Sequence, residues 1–559
     1  MKNKYVYFIV GCLIVLGACK KSELNQLNPN QPSPAASLSV EGGIAAFGAG
    51  ILQRLIYPVP NEGNSNLMAI AMTNHSIMGD EEFLAYGNFS FRWINQVYQT
   101  TLPGGTVVQN PFGVTQQVSL QGFNSRQAAD RNAFLFEWTL GYFLISQANT
   151  MLNALNQPGV QLSGNAASRM ATYKAWAYWW KGYSYSRIGS MYIAGVITND
   201  PGLGNTSANF VDHNAIIAEA NKNFDSCAAQ LSTIPAGNPD PDYLSVMTSL
   251  VLSFNDNTVA HLITPTMWLH QLNTYKARNL LVNKKVSDMA AADWQNIITW
   301  CTNGLTSSDF YFKFGMTPDG SNDLTNGFLH PLALAGPNVQ WTFVSERLVQ
   351  DFKAGDARFT KNIEQLPVDP NTDPYYGLTA FSNLRSRGLQ FGTRWAAIPI
   401  EDGGSWATGT NQGFVPIGCS YEENALMLAE AYINTGAIDQ GLQYVDQVRS
   451  SQNAGLAAVS GTGLTLAQAK EELRIERRIG LYLKGDAFYD ARRWGVTAPA
   501  ASGGGRAGAI VYVPGNLVSS ATDVALPCFM EYNYMDYWDV PQNELDFNTP
   551  ATGSASVKN

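Results

Sequence analysis

The chain has 559 residues, with 35 Lys and Arg against 44 Asp and Glu and a net charge of −9. Charged residues make up only 14% of it, against about 25% in an average domain, and Asn, Gln, Ser, Thr and Gly fill the gap while aromatics reach 11%. With no basic run, this composition argues against a nucleic-acid binder, and an uncharged polar surface interleaved with aromatics suits neutral, hydroxyl-rich ligands.

In chain order, Lys2 and Lys4 precede an apolar stretch, Tyr5 to Leu16. That is shorter than the roughly 20 residues needed to span a bilayer and has the layout of a secretory signal. Leu16-Gly17-Ala18-Cys19 looks like a bacterial lipobox. Residues 1–18 are therefore expected to be a cleaved signal peptide, with lipid on Cys19, since a multiply acylated cysteine anchors stably. Residues 20–36 are polar and carry Pro29, Pro32 and Pro34, so 19–40 read as an extended lipidated tether. No later apolar run approaches membrane-spanning length. Of the other cysteines, Cys12 leaves with the signal. Cys227, Cys301, Cys419 and Cys528 are widely spaced, contain no C-x-x-C, and read as buried free thiols.

Residues 53–125 are rich in Gly, Asn, Pro and aromatics and show no long helical period. Helical segments follow. Tyr173, Trp176, Trp180 and Tyr183 share one helix face. Asp212 suits a cap for a helix through Ile216, Ile217, Ala220 and Phe224. Trp268, Leu272 and Tyr275 continue the pattern, before a second irregular stretch at 310–418. Ala425, Leu428, Ala429 and Tyr432 then make one helix face, Gly436 stops it, and Leu442, Val445 and Val448 make the next, a tetratricopeptide-like hairpin. Thr465 and Gln468 form a capping box opening a helix with Ile475, Ile479 and Leu483. Little of the chain alternates as strands do. Long irregular stretches in a compact helical protein are usually functional.

No catalytic constellation emerges. There is no H-E-x-x-H or G-x-S-x-G, and the histidines (His75, His213, His261, His270 and His330) are scattered. Gly503, Gly505 and Gly508 satisfy G-x-G-x-x-G, but in a small-residue loop with no preceding strand, which argues against a nucleotide site. Asp369, Asn371 and Asp373 echo the start of a calcium loop without its closing Glu, and Pro370 and Pro374 suggest a plain turn. Cofactors are otherwise expected to be none.

ERRIGLYLKGDAFYDARRWG, residues 476–495, resembles the hallmark of the SusD/RagB family of outer-membrane lipoproteins, roughly E-R-x-x-E-L-x-x-E-G-x-R-x-x-D-x-x-R-W-G. Glu476, Arg477, Leu481, Gly485, Asp490, Arg493, Trp494 and Gly495 match; Gly480, Lys484 and Ala487 replace the usual Glu, Glu and Arg. AEAYINTG, the closing P-x-x-E-x-x-x-N at Pro541, Glu544 and Asn548, the opening LNPNQP, and the helix with Trp138, Tyr142 and Asn149 are similar to further family segments, in order. The resemblance implies a mainly all-α fold, a right-handed superhelix of tetratricopeptide-like helix pairs with a loop-rich capping region, as a single domain over 41–559. It also implies a SusC-like TonB-dependent transporter as partner, an outer-membrane location facing outward, and no enzymatic activity.

Family ligand sites are built from an early loop and the capping insertion, which resemble the two irregular regions. The expected ligand contacts are therefore Trp93, Asn95, Trp341, Tyr375, Tyr376, Trp395 and Trp406, flat rings beside hydrogen-bonding amides. Tryptophans on helices (Trp138, Trp176, Trp179, Trp180, Trp268 and Trp300) are expected in the core. Glycan is the leading cargo. Peptide cargo, a surface glycoside hydrolase and a pure tetratricopeptide scaffold are the rival readings.

Overall fold

The computed structural model describes residues 37–56, 67–199, 208–235, 240–251, 262–316, 343–365, 391–398 and 413–559. Cys19, Trp341, Tyr375, Tyr376, Trp406 and the Asp369, Asn371, Asp373 trio lie outside the described residues.

The chain opens with helices α1 (Glu41–Ile56) and α2 (Leu67–Met78). All twelve side chains of α2 are buried, so it has no polar face and no amphipathic period. That is why a helix stands where the sequence reads as irregular. Beyond it come strands β1 (Glu82–Phe83), β2 (Gln99–Thr101) and β3 (Val107–Gln109).

The scaffold is a series of packed helices: α3 (Phe134–Leu155), α4 (Ala166–Met191), α5 (His213–Leu231), α6 (Pro241–Leu250), α7 (Pro265–Val282) and α8 (Ala291–Thr302). Helix α4 packs between α3 and α5. Its Trp176, Trp179 and Trp180 are fully buried, and Trp268 of α7 joins them, as helical spacing requires. The Trp176 and Trp180 rings meet edge to face at 5.3 Å. Asp212 caps α5 by accepting from the amide of Ala215 at 2.9 Å.

Short strands interrupt the helices: β4 (Ala194–Val196) with β5 (Phe210–Asp212), β6 (Lys313–Met316) with β10 (Gly413–Pro416), and β7 (Phe343–Val344), β8 (Ile363–Gln365) and β9 (Trp395–Ala397). Helix α9 (Glu346–Asp351) follows β7.

The C-terminal helices are α10 (Tyr421–Asn434), α11 (Ile438–Ser451), α12 (Leu466–Gly480) and α13 (Ala487–Arg493). Three residues join α10 to α11, so the two form an antiparallel hairpin, with Gly436 at φ +92° turning the chain. Ala425, Ala429, Leu442, Val445 and Val448 pack against Ala469 and Leu473 of α12. Thr465 and Gln468 close the expected capping box.

Residues 500–531 depart from the helical expectation. β11 (Arg506–Val513) and β12 (Val524–Glu531) form an antiparallel ribbon that continues through β2 to β3. Ala509, Val511 and Val513 alternate inward along β11, a two-residue period too short to stand out beside its glycines. Gly503 and Gly505 lead into this strand and Gly508 lies within it, at a shift of register, so the glycines open a strand rather than a helix. Cys227, Cys301, Cys419 and Cys528 are free and buried.

The family-like segments brace one another. Glu544 accepts from Trp138 Nε1 at 3.4 Å and from Asn548 Nδ2 at 3.0 Å, tying the closing segment to α3. Tyr142 and Asn149 of α3 bond the backbone at Val196 and Thr198. Arg493 grips both oxygens of Glu430 at 2.5 Å and Asp490 at 2.8 Å, and Arg477 reaches Asp490 at 2.7 Å. Of the three departures, Lys484 finds Glu422 at 2.7 Å. Ala487 packs against the backbone of Gly79, where an added Cβ would lie 2.3 Å from the Ala487 Cβ.

Candidate functional site where the two irregular regions meet

The sequence GDEEF, residues 79–83, leaves α2 by a sharp turn. Asp80 adopts φ +55°, a conformation that costs a non-glycine residue on the order of 1 kcal/mol and persists because its surroundings hold it. Its carboxylate accepts from Ser345 Oγ (2.7 Å), Arg347 Nη2 (2.7 Å) and Nε (2.9 Å), and Tyr532 Oη (2.7 Å). The carbonyls of Gly79 and Asp80 accept from Arg478, each at 2.8 Å. Burial pushes the Asp80 carboxyl upward, but Arg347, Arg478 and Ser345 outweigh it and hold it well below the usual carboxylate range.

This turn delivers β1 to β7: Glu82 pairs with Val344 and Phe83 with Phe343, and the sheet runs on through β9 to β8. The two irregular regions of the sequence thus share one four-stranded sheet. Glu81, just before β1, and Glu82, its first residue, are each 1% exposed. Burial pushes Glu81 up to about 8, with Arg478 opposing and Asp486 adding to the rise. Burial and its neighbour Glu81 hold Glu82 well above its ordinary value.

Trp395 lies on β9, half-buried. Its Nε1 donates to Glu346 Oε2 at 3.1 Å, and its ring meets Phe359 at 5.6 Å. Arg394 bonds both oxygens of the same Glu346. Asn95, at the end of a short helix Phe91–Ile94, donates from Nδ2 to the carbonyl of Leu84 at 2.9 Å. Asn95 and Gln96 face Phe391 and Gly392 across a recess of about 30 Å³ that Arg347 and Tyr534 also line. That volume admits a water molecule and no sugar ring. Trp93 is 8% exposed, with Phe112, Phe123 and the guanidinium of Arg92 (4.2 Å) against its ring. It packs the early loop rather than presenting a free face.

Among the described residues, no group of His, Cys, Asp and Glu is placed to hold a metal ion, and no helix is long and apolar enough to cross a membrane. No sequence pattern singles out Asp80 and Arg347, which join the two regions, or Glu346, which holds Arg394 and Trp395 within the second. The only local signal is three consecutive acids straight after an apolar run.

A family model described as the SusD family matches residues 421–552. No curated protein matches the sequence. The fold is similar to that of a SusD-like carbohydrate binding protein from Bacteroides fragilis (15% identity, 91% of this chain and 98% of that one, TM-score 0.58). It is also similar to one from Bacteroides vulgatus (14%, 92% and 98%, TM-score 0.55). A protein crystallised with xylogluco-oligosaccharide is similar at 13% identity, over 92% of this chain and 99% of that one, with a TM-score of 0.56. The chain therefore carries the SusD-family segment at its C-terminus within the mainly helical SusD-like fold.

Proposed function

We propose that the protein is a non-catalytic receptor that captures oligosaccharide at the outer face of the outer membrane and passes it to a SusC-like TonB-dependent transporter. In this reading residues 1–18 are removed, Cys19 carries the lipid, and 41–559 work as one domain. The observation that carries it is the β1–β7 pairing, which joins two aromatic-rich irregular regions in one sheet. A fold shared with a protein crystallised with xylogluco-oligosaccharide supports the same reading. In this reading the half-buried ring of Trp395 takes the ligand, with Trp341, Tyr375, Tyr376 and Trp406, which lie outside the described residues, as further contacts by residue type alone; Trp93 packs the early loop, and Asn95 lines a recess that admits only water. Saccharide C–H edges rest on aromatic faces while amides take the hydroxyls.

Retardation of the purified protein in gels containing a panel of neutral polysaccharides tests this. Retardation by at least one is expected, weakened by Trp395→Ala. Binding of a peptide mixture alone would replace the glycan cargo, and release of reducing sugar would overturn the non-catalytic assignment.

A further inference from the structure

Asp80 and Tyr532, which line the small recess at the seam, also line a cleft of about 370 Å³ that opens between α12 and α13. Two helix stripes face it, Glu471, Arg474, Ile475 and Arg478 on one side and Ala487, Asp490, Ala491 and Trp494 on the other, each at i, i+3, i+4, i+7 spacing. The small side chains of Ala487 and Ala491 leave the space. Its size falls in the range of small-molecule sites, roughly 300–1,000 Å³.

The charges in the cleft select the ligand. Asp351 accepts from Arg474 (2.9 Å), Arg478 (2.7 Å) and Arg506 (2.8 Å), and Arg474 also holds Glu471 at 2.7 Å. A ligand of either charge meets groups of its own sign here, since Asp80, Asp351, Glu471 and Asp490 line the cleft together with Arg474, Arg478 and Arg506, and it would compete with a carboxylate or a guanidinium for their partners. A neutral hydroxyl, donor and acceptor at once, displaces neither. Arg506 makes its hydrogen bonds among the described residues through Nη2, to Asp351 and to the carbonyl of Arg347, which leaves Nε and Nη1 as donors. Thr497 lines the cleft, is 1% exposed, and has a hydroxyl with no hydrogen-bond partner among the described residues. Trp494 supplies a half-buried ring, fixed by Nε1 to Glu430 and by Arg493 at 4.7 Å from its centroid.

We propose that this cleft is a second binding site, separate from the seam, for a neutral polyhydroxylated ligand of one or two sugar rings. Trp494 meets the ring's apolar edge, and Arg506 and Thr497 meet its hydroxyls. The site does not depend on the glycan reading of the seam.

Ala507 is exposed on the rim, so Ala507→Phe obstructs the mouth without touching the core, and Ala507→Ser leaves it open. Saturation-transfer NMR on the purified full chain with glucose, galactose, xylose, maltose and cellobiose reads the outcome, alongside glutamate, lysine and a dipeptide mixture. At least one saccharide is expected to bind, Ala507→Phe to weaken it tenfold or more, and Ala507→Ser to keep it. Retardation by polysaccharide, which reports the seam, stays unchanged in Ala507→Phe. Should Ala507→Phe misfold, Ala491→Leu narrows the cleft from a half-buried helix face. Binding of none of the sugars, equal binding by wild type and the obstructed variants, or binding of the charged probes or dipeptides instead overturns the proposal. Loss of polysaccharide retardation in Ala507→Phe would support the cleft and overturn the seam.

Discussion

Glu81→Gln isolates the free energy of burying a carboxylate just before β1. The folded carboxyl sits at about 8 against an ordinary value near 4.5, with burial the largest cause. At about 1.4 kcal/mol per pH unit, that displacement corresponds to about 5 kcal/mol. Because the folded value is raised, the contribution of protonated Glu81 is complete below pH 4.5. It is lost as pH rises toward 8, while the unfolded chain ionises and the folded one does not. Above 8 the two slopes become equal and the loss levels off. Gln has nearly the same shape and cannot ionise, so the variant loses the titration of Glu81 and, with it, the part of the rise at Glu82 that Glu81 causes. The urea midpoint of wild type and Glu81→Gln, measured from pH 4.5 to 9, is the assay. The variant is expected to gain stability relative to wild type by about 1.4 kcal/mol per unit, approaching 5 kcal/mol near pH 8. Parallel curves across that window would refute a protonated, buried Glu81.

Other perturbations follow the same reasoning. Arg347→Ala strips Asp80 of its main partner and leaves a buried charge, so a loss of about 3–5 kcal/mol in denaturant unfolding is expected. Trp180→Ala in the fully buried ring cluster of α4 should cost a similar 3–5 kcal/mol, read as a lower urea midpoint. Asp212→Ala removes the cap of α5 and should cost about 1 kcal/mol, with little effect on polysaccharide retardation. Arg493→Lys keeps the charge but loses the fork on Glu430, so a fall in melting temperature that Lys does not rescue is expected.

The helices with one apolar face were legible in advance. Tyr173, Trp176, Trp180 and Tyr183 recur every three or four residues because one side of α4 meets its neighbours, and all four are buried. Caps were legible too, since Asp212 and Thr465 each act on an amide three positions away. Helix α2 was not, because burial on all sides removes the polar face that marks a helix. The β11–β12 ribbon was hidden by short inward alternation among glycines.

The site divides along the same line. Its two halves were visible as aromatic-rich stretches without helical period, and their residue types already suited neutral hydroxyl ligands. Their junction was not, because it pairs residues more than 260 positions apart: Asp80 with Arg347, and Glu82 with Val344. Nor did spacing reveal that Trp93 spends its faces on Phe112, Phe123 and Arg92 while Trp395 stays half-exposed. The amphipathic helices of the scaffold, with their caps and turns, follow from residue order alone, since these depend on neighbours within about four residues. Which irregular segments meet, which rings are packed away, and where a charge-matched cleft opens between α12 and α13 emerge only in the folded chain. Those outcomes depend on contacts between distant segments, which local periodicity does not encode.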